Sequence, residues 1–167
     1  LKAIQYPNLA TVQIIYNMFR FKPQEVFFKE AKKKNIGIIA RVPLASGLLA
    51  GKYKKDTVFS KRDHRYFNWE GEVFSKGETF SGVPYEIGID AVEELKKIFP
   101  DGELANNALR WILMEESVSC VIPGASREAQ IETNSNASDL LPLAMIQMKE
   151  VEKIYNKYIK EHVHDLW

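Results

Sequence analysis

Three short apolar runs rich in β-branched residues punctuate the chain. Each is followed by loop-forming residues and then by a helical pattern. The first run is Val12-Gln13-Ile14-Ile15-Tyr16-Asn17-Met18-Phe19, the second Ile36-Gly37-Ile38-Ile39-Ala40-Arg41-Val42, and the third Val118-Ser119-Cys120-Val121-Ile122. Runs that are apolar throughout, rather than alternating, predict strands of a parallel sheet buried on both faces. After the first run, Lys22-Pro23-Gln24-Glu25 predicts a helix start with Pro23 in its first turn. That helix turns Phe27, Phe28 and Ala31 inward and ends near the basic Lys34-Asn35. Ala91, Val92, Leu95, Ile98 and Phe99 mark an amphipathic helix that Pro100-Asp101-Gly102 breaks. Asp101 is the expected cap of the next helix, whose inward stripe is Leu104, Ala105, Ala108, Leu109 and Ile112. Ser126 is the expected cap of a helix from Arg127 to about Ala137. Val151, Ile154, Tyr155 and Tyr158 mark a last helix after Pro142.

Strand, helix, strand, loop with helices, strand, helix, helix is the order of right-handed parallel βα units. Three parallel strands are too few to close a barrel, and an open sheet of three would leave both edges with unpaired backbone groups. The pattern therefore predicts one partial domain over residues 1–167 that belongs to a larger sheet. The absence of a methionine before Leu1-Lys2-Ala3 adds the expectation of a chain cut from something longer. Pro43 to Pro84 has little periodicity and carries Gly47, Gly51, Gly71, Gly77 and Gly82. A connection of that length is expected to be functional, a long loop over an active site.

Composition narrows the classes. The 167 residues are 46% hydrophobic and 27% charged, in the range of globular domains. Twenty-three Lys and Arg against 22 Asp and Glu give a net charge of +1, which argues against a nucleic-acid binder. No uncharged apolar run approaches the ~20 residues needed to span a bilayer. One cysteine, Cys120, excludes an intramolecular disulfide and suits the reducing cytoplasm. Its place among valines and isoleucine predicts a buried, inert thiol.

Two segments carry candidate chemistry. Val42-Pro43-Leu44-Ala45-Ser46-Gly47-Leu48-Leu49-Ala50-Gly51-Lys52-Tyr53 begins where a parallel strand ends, the edge at which α/β folds bind ligands. Its small residues admit close backbone approach, and Lys52 offers a point charge for a phosphate. Ile122-Pro123-Gly124-Ala125-Ser126-Arg127 also ends a strand and opens a helix, where backbone N–H groups, Ser126 and Arg127 suit an anion. Taken singly, each segment reads equally well as a loop or a capped helix start.

Together with Gln13-Ile14-Ile15-Tyr16-Asn17-Met18-Phe19, Ala108-Leu109-Arg110-Trp111-Ile112-Leu113 and the continuation Glu128-Ala129-Gln130-Ile131, these segments resemble the aldo-keto reductases. The resemblance covers essentially the whole chain and extends to the branch related to potassium-channel β subunits. It implies the C-terminal half of a TIM (β/α)8 barrel, the three runs being its sixth to eighth strands. It also implies an NADPH-dependent oxidoreductase that reduces a small-molecule carbonyl substrate by hydride transfer.

Position by position, the resemblance puts Gln13 on the nicotinamide carboxamide and Val42, Pro43, Leu44, Ala45 and Ser46 along the nicotinamide and pyrophosphate. Lys52 falls on the pyrophosphate and Arg62 at a further cofactor contact. Gly124, Ser126, Gln130 and Asn134 fall at the adenosine and its 2′-phosphate. Arg41 replaces an aromatic residue that stacks on the nicotinamide, and its planar guanidinium can stack too. Thr133 replaces a glutamate near the adenine amino group.

The family's catalytic aspartate, tyrosine, lysine and histidine lie on early strands of the barrel, upstream of Leu1, so no catalytic residue and no metal ligand is assigned in this chain. Tyr16 and Tyr53 show no lysine–aspartate partnership in sequence, and His162 and His164 lie two apart near an end expected to fray. The expected function is the cofactor-holding fragment of an NADPH-dependent aldo-keto reductase, inactive alone. The alternative is a non-enzymatic half-barrel that self-associates through its strand edges, or a cofactor-binding interaction module.

Overall fold

A computed structural model describes residues 1–100 and 102–166. Its sheet has three parallel strands in the order β1 (Thr11–Ile15), β2 (Gly37–Arg41), β3 (Val118–Val121). Gln13 lies opposite Ile39 and Ile15 opposite Arg41, so these four share one face. Ile38 and Ala40 point the other way and are fully buried beneath the helices. The register between β2 and β3 shifts between Ile38 and Ile39, where the Ser119 hydroxyl accepts the Ile38 N–H at 3.1 Å.

The helices are α1 (Phe27–Lys33), α2 (His64–Phe67), α3 (Tyr85–Ile98), α4 (Leu104–Leu113), α5 (Glu128–Asn136), α6 (Met145–Ile154) and α7 (Lys160–Val163), with a π turn over Tyr155–Ile159 between the last two. The apolar stripes define the core: Phe28 and Ala31 from α1, Ala91, Val92 and Leu95 from α3, Leu104, Ala108, Leu109 and Ile112 from α4, Val151 from α6. Ala105 in the α4 stripe is only partly buried. The α3 helix starts at Tyr85, earlier than its stripe suggested, and Gly88 admits Leu48: a Cβ there would lie 2.8 Å from a Leu48 methyl.

Several expectations are corrected. The first strand stops at Ile15 instead of Phe19. Asn17, fully buried, accepts the Phe19 N–H at 2.8 Å and starts a turn that closes at Arg20. Pro23 sits in a separate 3-10 turn (Lys22–Gln24), and α1 begins only at Phe27 because Val26, with φ −131° and ψ −47°, interrupts the two. Ser126 does not cap α5: Arg127 holds the cap position without a side-chain bond, and Ser126 bonds instead to Gln130. Cys120 is exposed, because β3 is an edge strand and its thiol lies opposite Ile39 on the face turned from the helices. Asp101 lies outside the described residues; Glu103 stands at the α4 cap position and makes no side-chain cap.

The C-terminal segment is anchored instead of frayed. His164 Nδ1 lies 2.7 Å from the Tyr155 hydroxyl and its Nε2 2.8 Å from the Glu25 carboxylate. Arg20, 4% exposed, donates to the Ser81 and Val163 carbonyls at 2.7 and 3.1 Å, tying α7 to the long loop. Tyr155 stacks on Phe21 at 4.1 Å, and burial pushes its phenol up to about 12.

Candidate functional site

The chain leaves β2 through an unusual turn. Val42, Ala45, Ser46 and Gly47 all have positive φ, at 52°, 47°, 55° and 96°. For β-branched Val42 that conformation costs on the order of 1–3 kcal/mol and persists only where the surroundings over-determine it. They do so here. The Asn17 amide donates to the Val42 carbonyl and to the Ser81 hydroxyl, both at 2.8 Å. Ser46 Oγ donates to the Glu78 carbonyl at 2.9 Å and accepts the Phe80 N–H at 3.1 Å. The second strained stretch, Phe80 and Ser81 with φ of 50° and 59°, is thereby clamped to the first. Gly47 has no room for a side chain, since a Cβ would lie 2.6 Å from the Tyr53 hydroxyl.

Beyond this turn lies an open cleft of about 1020 Å³ at the carboxyl ends of β2 and β3. It is lined by Val42–Leu44, Ser46, Gly47 and Lys52 from the turn after β2, by Ile122, Gly124–Arg127 and Gln130 from the end of β3 and the start of α5, and by His64, Arg65, Phe74 and Glu78 from the long loop. Lys52 and Arg127 are exposed, and neither makes an ion pair among the described residues. Arg65 is held rigidly: its Nε and Nη2 bond the two Asp63 carboxylate oxygens at 2.8 and 2.5 Å, its Nη1 bonds the Tyr53 hydroxyl, and its guanidinium lies 5.1 Å from the Phe59 ring centre. The Arg65 side-chain bonds bring the Asp63 carboxyl down to about 2, so it is charged at neutral pH. Partial burial pushes the Tyr53 phenol up, against the Arg65 charge. Tyr16, buried and accepting from Gln24 at 2.7 Å, is raised well above its ordinary value, first by burial and then by Glu115. Both phenols hold their protons at neutral pH. Among the described residues no group of three His, Cys, Asp or Glu could hold a metal ion.

The expected site residues fall into two groups. Val42, Pro43, Leu44, Ser46, Lys52, Gly124, Ser126 and Gln130 line the cleft together. Gln13 and Arg41 instead line a hollow of about 140 Å³ at the ends of β1 and β2, with Arg20, Ser75, Gly77 and Leu166. The Arg41–Glu78 ion pair separates the two spaces. Ala45 is fully buried and stands behind the cleft wall. Arg62 is exposed and outside both lining sets; Arg65, three residues on, takes the inward place. Thr133 bonds back to the Ala129 carbonyl at 2.7 Å and Asn134 reaches the Gly124 carbonyl at 3.5 Å, so both lie along α5, beside the cleft and not in it.

Sequence reading missed Asn17, Asp63, Arg65 and Glu78. Asp63-His64-Arg65 carried a signal, an aspartate whose side chain caps a short helix and accepts the N–H two residues on. Asn17, a polar residue inside an apolar run, carried a weaker one. Glu78 carried none, because its partner is 37 residues away.

With this geometry in view, residues 2–156 match the model of the Aldo/keto reductase family, and the chain belongs to that family. A probable voltage-gated potassium channel subunit beta of Arabidopsis thaliana is 31% identical over 149 residues, which is 83% of this chain and 42% of that protein. The L-glyceraldehyde 3-phosphate reductase of Escherichia coli (strain K12) is 27% identical over 155 residues, 91% of this chain and 42% of that protein. Among solved structures, a glycerol dehydrogenase of Gluconobacter oxydans superposes with a TM-score of 0.67 at 25% identity, over 93% of this chain and 43% of its own. An aldo-keto reductase of Bacillus halodurans superposes with a TM-score of 0.64 at 18% identity, over 98% and 50%. The chain thus spans less than half the length of the curated relatives it matches. Its three parallel strands and their helices correspond to about half of the barrel of those enzymes. Members of the family use a nicotinamide cofactor, generally NADP(H), on small-molecule carbonyls. No helix among the described residues is long and apolar enough to cross a membrane.

Proposed function

We propose that this chain is the cofactor-holding part of a cytoplasmic NADPH-dependent aldo-keto reductase. The observation that carries the reading is the donor set of the cleft. Lys52 and Arg127, exposed and without ion pairs among the described residues, line the same cleft as the small residues Ser46, Gly47, Ala50, Gly124 and Ala125. Two cations, a braced Arg65 and backbone N–H groups at a helix start suit a long, multiply phosphorylated ligand. Bound NADPH would supply the hydride. Lys52 and Arg65 would hold its pyrophosphate, and Ser126, Arg127, Gln130, Thr133 and Asn134 its adenosine end, with Arg62 free to swing in. Gln13 and Arg41 would take the nicotinamide end, with Val42, Pro43, Leu44, Ala45 and Ser46 as the backing wall. Gly124 keeps the adenosine end open, as no atom lies within 4 Å of a Cβ built there.

The tyrosine–lysine–aspartate–histidine set of the family is proposed to lie outside these residues, so that no phenol here serves as the proton donor to the carbonyl. Titration of the chain with NADPH, followed by calorimetry, tests the reading. Binding should weaken about tenfold for each of Lys52→Ala and Arg127→Ala, as expected for loss of one charge-assisted contact. Absence of binding, or binding insensitive to both, refutes it. NADPH oxidation against a broad aldehyde panel should be undetectable; measurable turnover would place catalysis within the chain.

A second reading rests on the open edges of β1 and β3, where Thr11, Gln13, Ser119 and Cys120 are exposed. Such edges invite pairing with another chain, which makes a self-associating half-barrel the alternative. Sedimentation at micromolar concentration separates the two, and a stable monomer rejects the alternative.

A further inference from the structure

We infer that Glu78, near the end of the long loop, is a positioning residue for the nicotinamide end of the cofactor, acting through Arg41. This deepens the cofactor reading above and rests on it. Glu78 is fastened at two points to the turn that leaves β2. Its carboxylate pairs with Arg41 Nη1, and its carbonyl accepts the Ser46 hydroxyl at 2.9 Å. A third bond, from its own N–H to the Ser75 carbonyl at 2.9 Å, sets the loop that carries it. The carboxylate is therefore a fixed point and not a loose rim charge.

Arg41 is the freer partner. Its side chain is 30% exposed and that of Glu78 27%, so the pair is only partly screened by water. Arg41 stands at the end of β2 on the face it shares with Gln13, and the two side chains line the smaller hollow, whereas Glu78 lines the larger cleft. An arginine stem has wide rotamer freedom, and among the described residues no other hydrogen bond or ion pair restrains the Arg41 guanidinium. Pairing with Glu78 sets the plane of that guanidinium at the boundary between the two spaces. A flat cation held there can lie against an aromatic ring arriving beside Gln13. Glu78 also balances its charge, so that a ring which is itself cationic in the oxidised cofactor is not repelled. Arg41 thus serves as a stacking surface only while Glu78 holds it.

The test compares two ligands on the 167-residue chain: NADPH, and 2′-phospho-ADP-ribose, which has every part except the nicotinamide ring. The wild-type chain should bind NADPH more tightly than the fragment. Glu78→Gln keeps size and removes the charge; it should reduce that preference about tenfold, as for one charge-assisted bond, while leaving fragment affinity unchanged. In an Arg41→Ala background the same change should have no further effect. Equal weakening of both ligands by Glu78→Gln, or an unchanged preference, overturns the proposal in favour of a general loop-fastening role. Should Glu78→Gln fail to fold by circular dichroism, Arg41→Ala alone decides, and an unchanged preference there also overturns it. Equal wild-type affinities for the two ligands overturn the proposal but leave the phosphate contacts standing, whereas binding of neither ligand overturns the cofactor reading itself.

Discussion

Replacing Asn17 by alanine should be among the most damaging single changes in the protein, although the Asn17 side chain does not itself line the cleft. Its side chain is fully buried and makes three hydrogen bonds, each 2.8 Å: Nδ2 to the Val42 carbonyl, Nδ2 to the Ser81 hydroxyl, and Oδ1 from the Phe19 N–H. Truncation leaves a carbonyl, a hydroxyl and an N–H without these partners at a site closed to bulk water. Each stranded group costs about 1–3 kcal/mol. The Ser81 hydroxyl can rotate and a water can enter the space vacated, so the sum is nearer about 3–5 kcal/mol than the upper limit. With a urea m-value of about 2 kcal/mol/M, the unfolding midpoint should drop by about 2 M. Urea titration by tryptophan fluorescence measures this, since Trp111 is buried in the core. Two companions sharpen it. Ser81→Ala removes one of the three bonds and should cost about 1 kcal/mol. Asn17→Asp keeps the acceptor for Phe19 and can accept from the Ser81 hydroxyl, but sets a carboxylate oxygen against the Val42 carbonyl where an N–H had donated, and should be at least as harmful as alanine at neutral pH. A loss below about 1 kcal/mol for Asn17→Ala, or wild-type stability for Asn17→Asp, refutes the claim that this amide holds the strained Val42 turn in place.

Three further outcomes follow from the same geometry. Gly47→Ala, at φ 96° and with its Cβ 2.6 Å from the Tyr53 hydroxyl, should destabilise the fold and weaken NADPH binding together, whereas Gly124→Ala, whose Cβ meets nothing within 4 Å, should weaken binding and leave thermal unfolding unchanged. Asp63 is held at about 2, below its unfolded value, so its pairing with Arg65 contributes stability above about pH 4 that is lost as pH falls through 2; the gap between wild type and Asp63→Asn in acid unfolding should close over that interval, and a gap independent of pH would contradict the assignment. Cys120, exposed on the edge strand, should react with iodoacetamide in the folded protein at a rate close to that in urea, and strong protection would show that something covers β3.

How far the sequence was legible depends on where each residue finds its partner. The β2 strand was legible from its continuous apolar run, and the stripes of α3 and α4 because burial there follows the period of the element itself. The end of β1 was not, because Asn17 and Arg20 are polar residues buried by partners far along the chain, Ser81 and Val163 among them. Cys120 was misread for a different reason. An apolar run signals burial only if both faces of the strand are covered, and Cys120 lies in register with Ile39 on the face turned from the helices. Ser126 had the right chemistry for a cap, but the Gln130 carboxamide takes both its N–H and its hydroxyl at 2.7 and 3.1 Å, which leaves the helix start to Arg127. In the candidate site, glycines, lysine and the strand-end turn were visible as residue types, and eight of the expected positions do line the cleft. That Arg65 lines the cleft was invisible without knowing that Asp63 holds it there.

These misses have a common location. Glu78, Ser81 and Arg65 all lie in the long segment after β2, and their partners Arg41, Asn17, Ser46 and Tyr53 lie on or just after the strands. The segment that looked least ordered in sequence is therefore the one that fixes the shape of the cleft. Part of it is held by apolar packing, with Leu48, Leu49, Phe80 and Val83 buried and Trp69 packed against Phe80 and Tyr85, while Tyr66, Phe67 and Phe74 remain exposed. The rest is held by a few polar bonds to a strained turn, and strain of that kind survives only while those bonds are intact. Loss of any one of them should relax the turn and the loop together. Cofactor affinity in this protein should accordingly be more sensitive to Asn17, which lies behind the groove, and to Ser46 in its lining, than to exposed Arg62, which the resemblance made a cofactor contact.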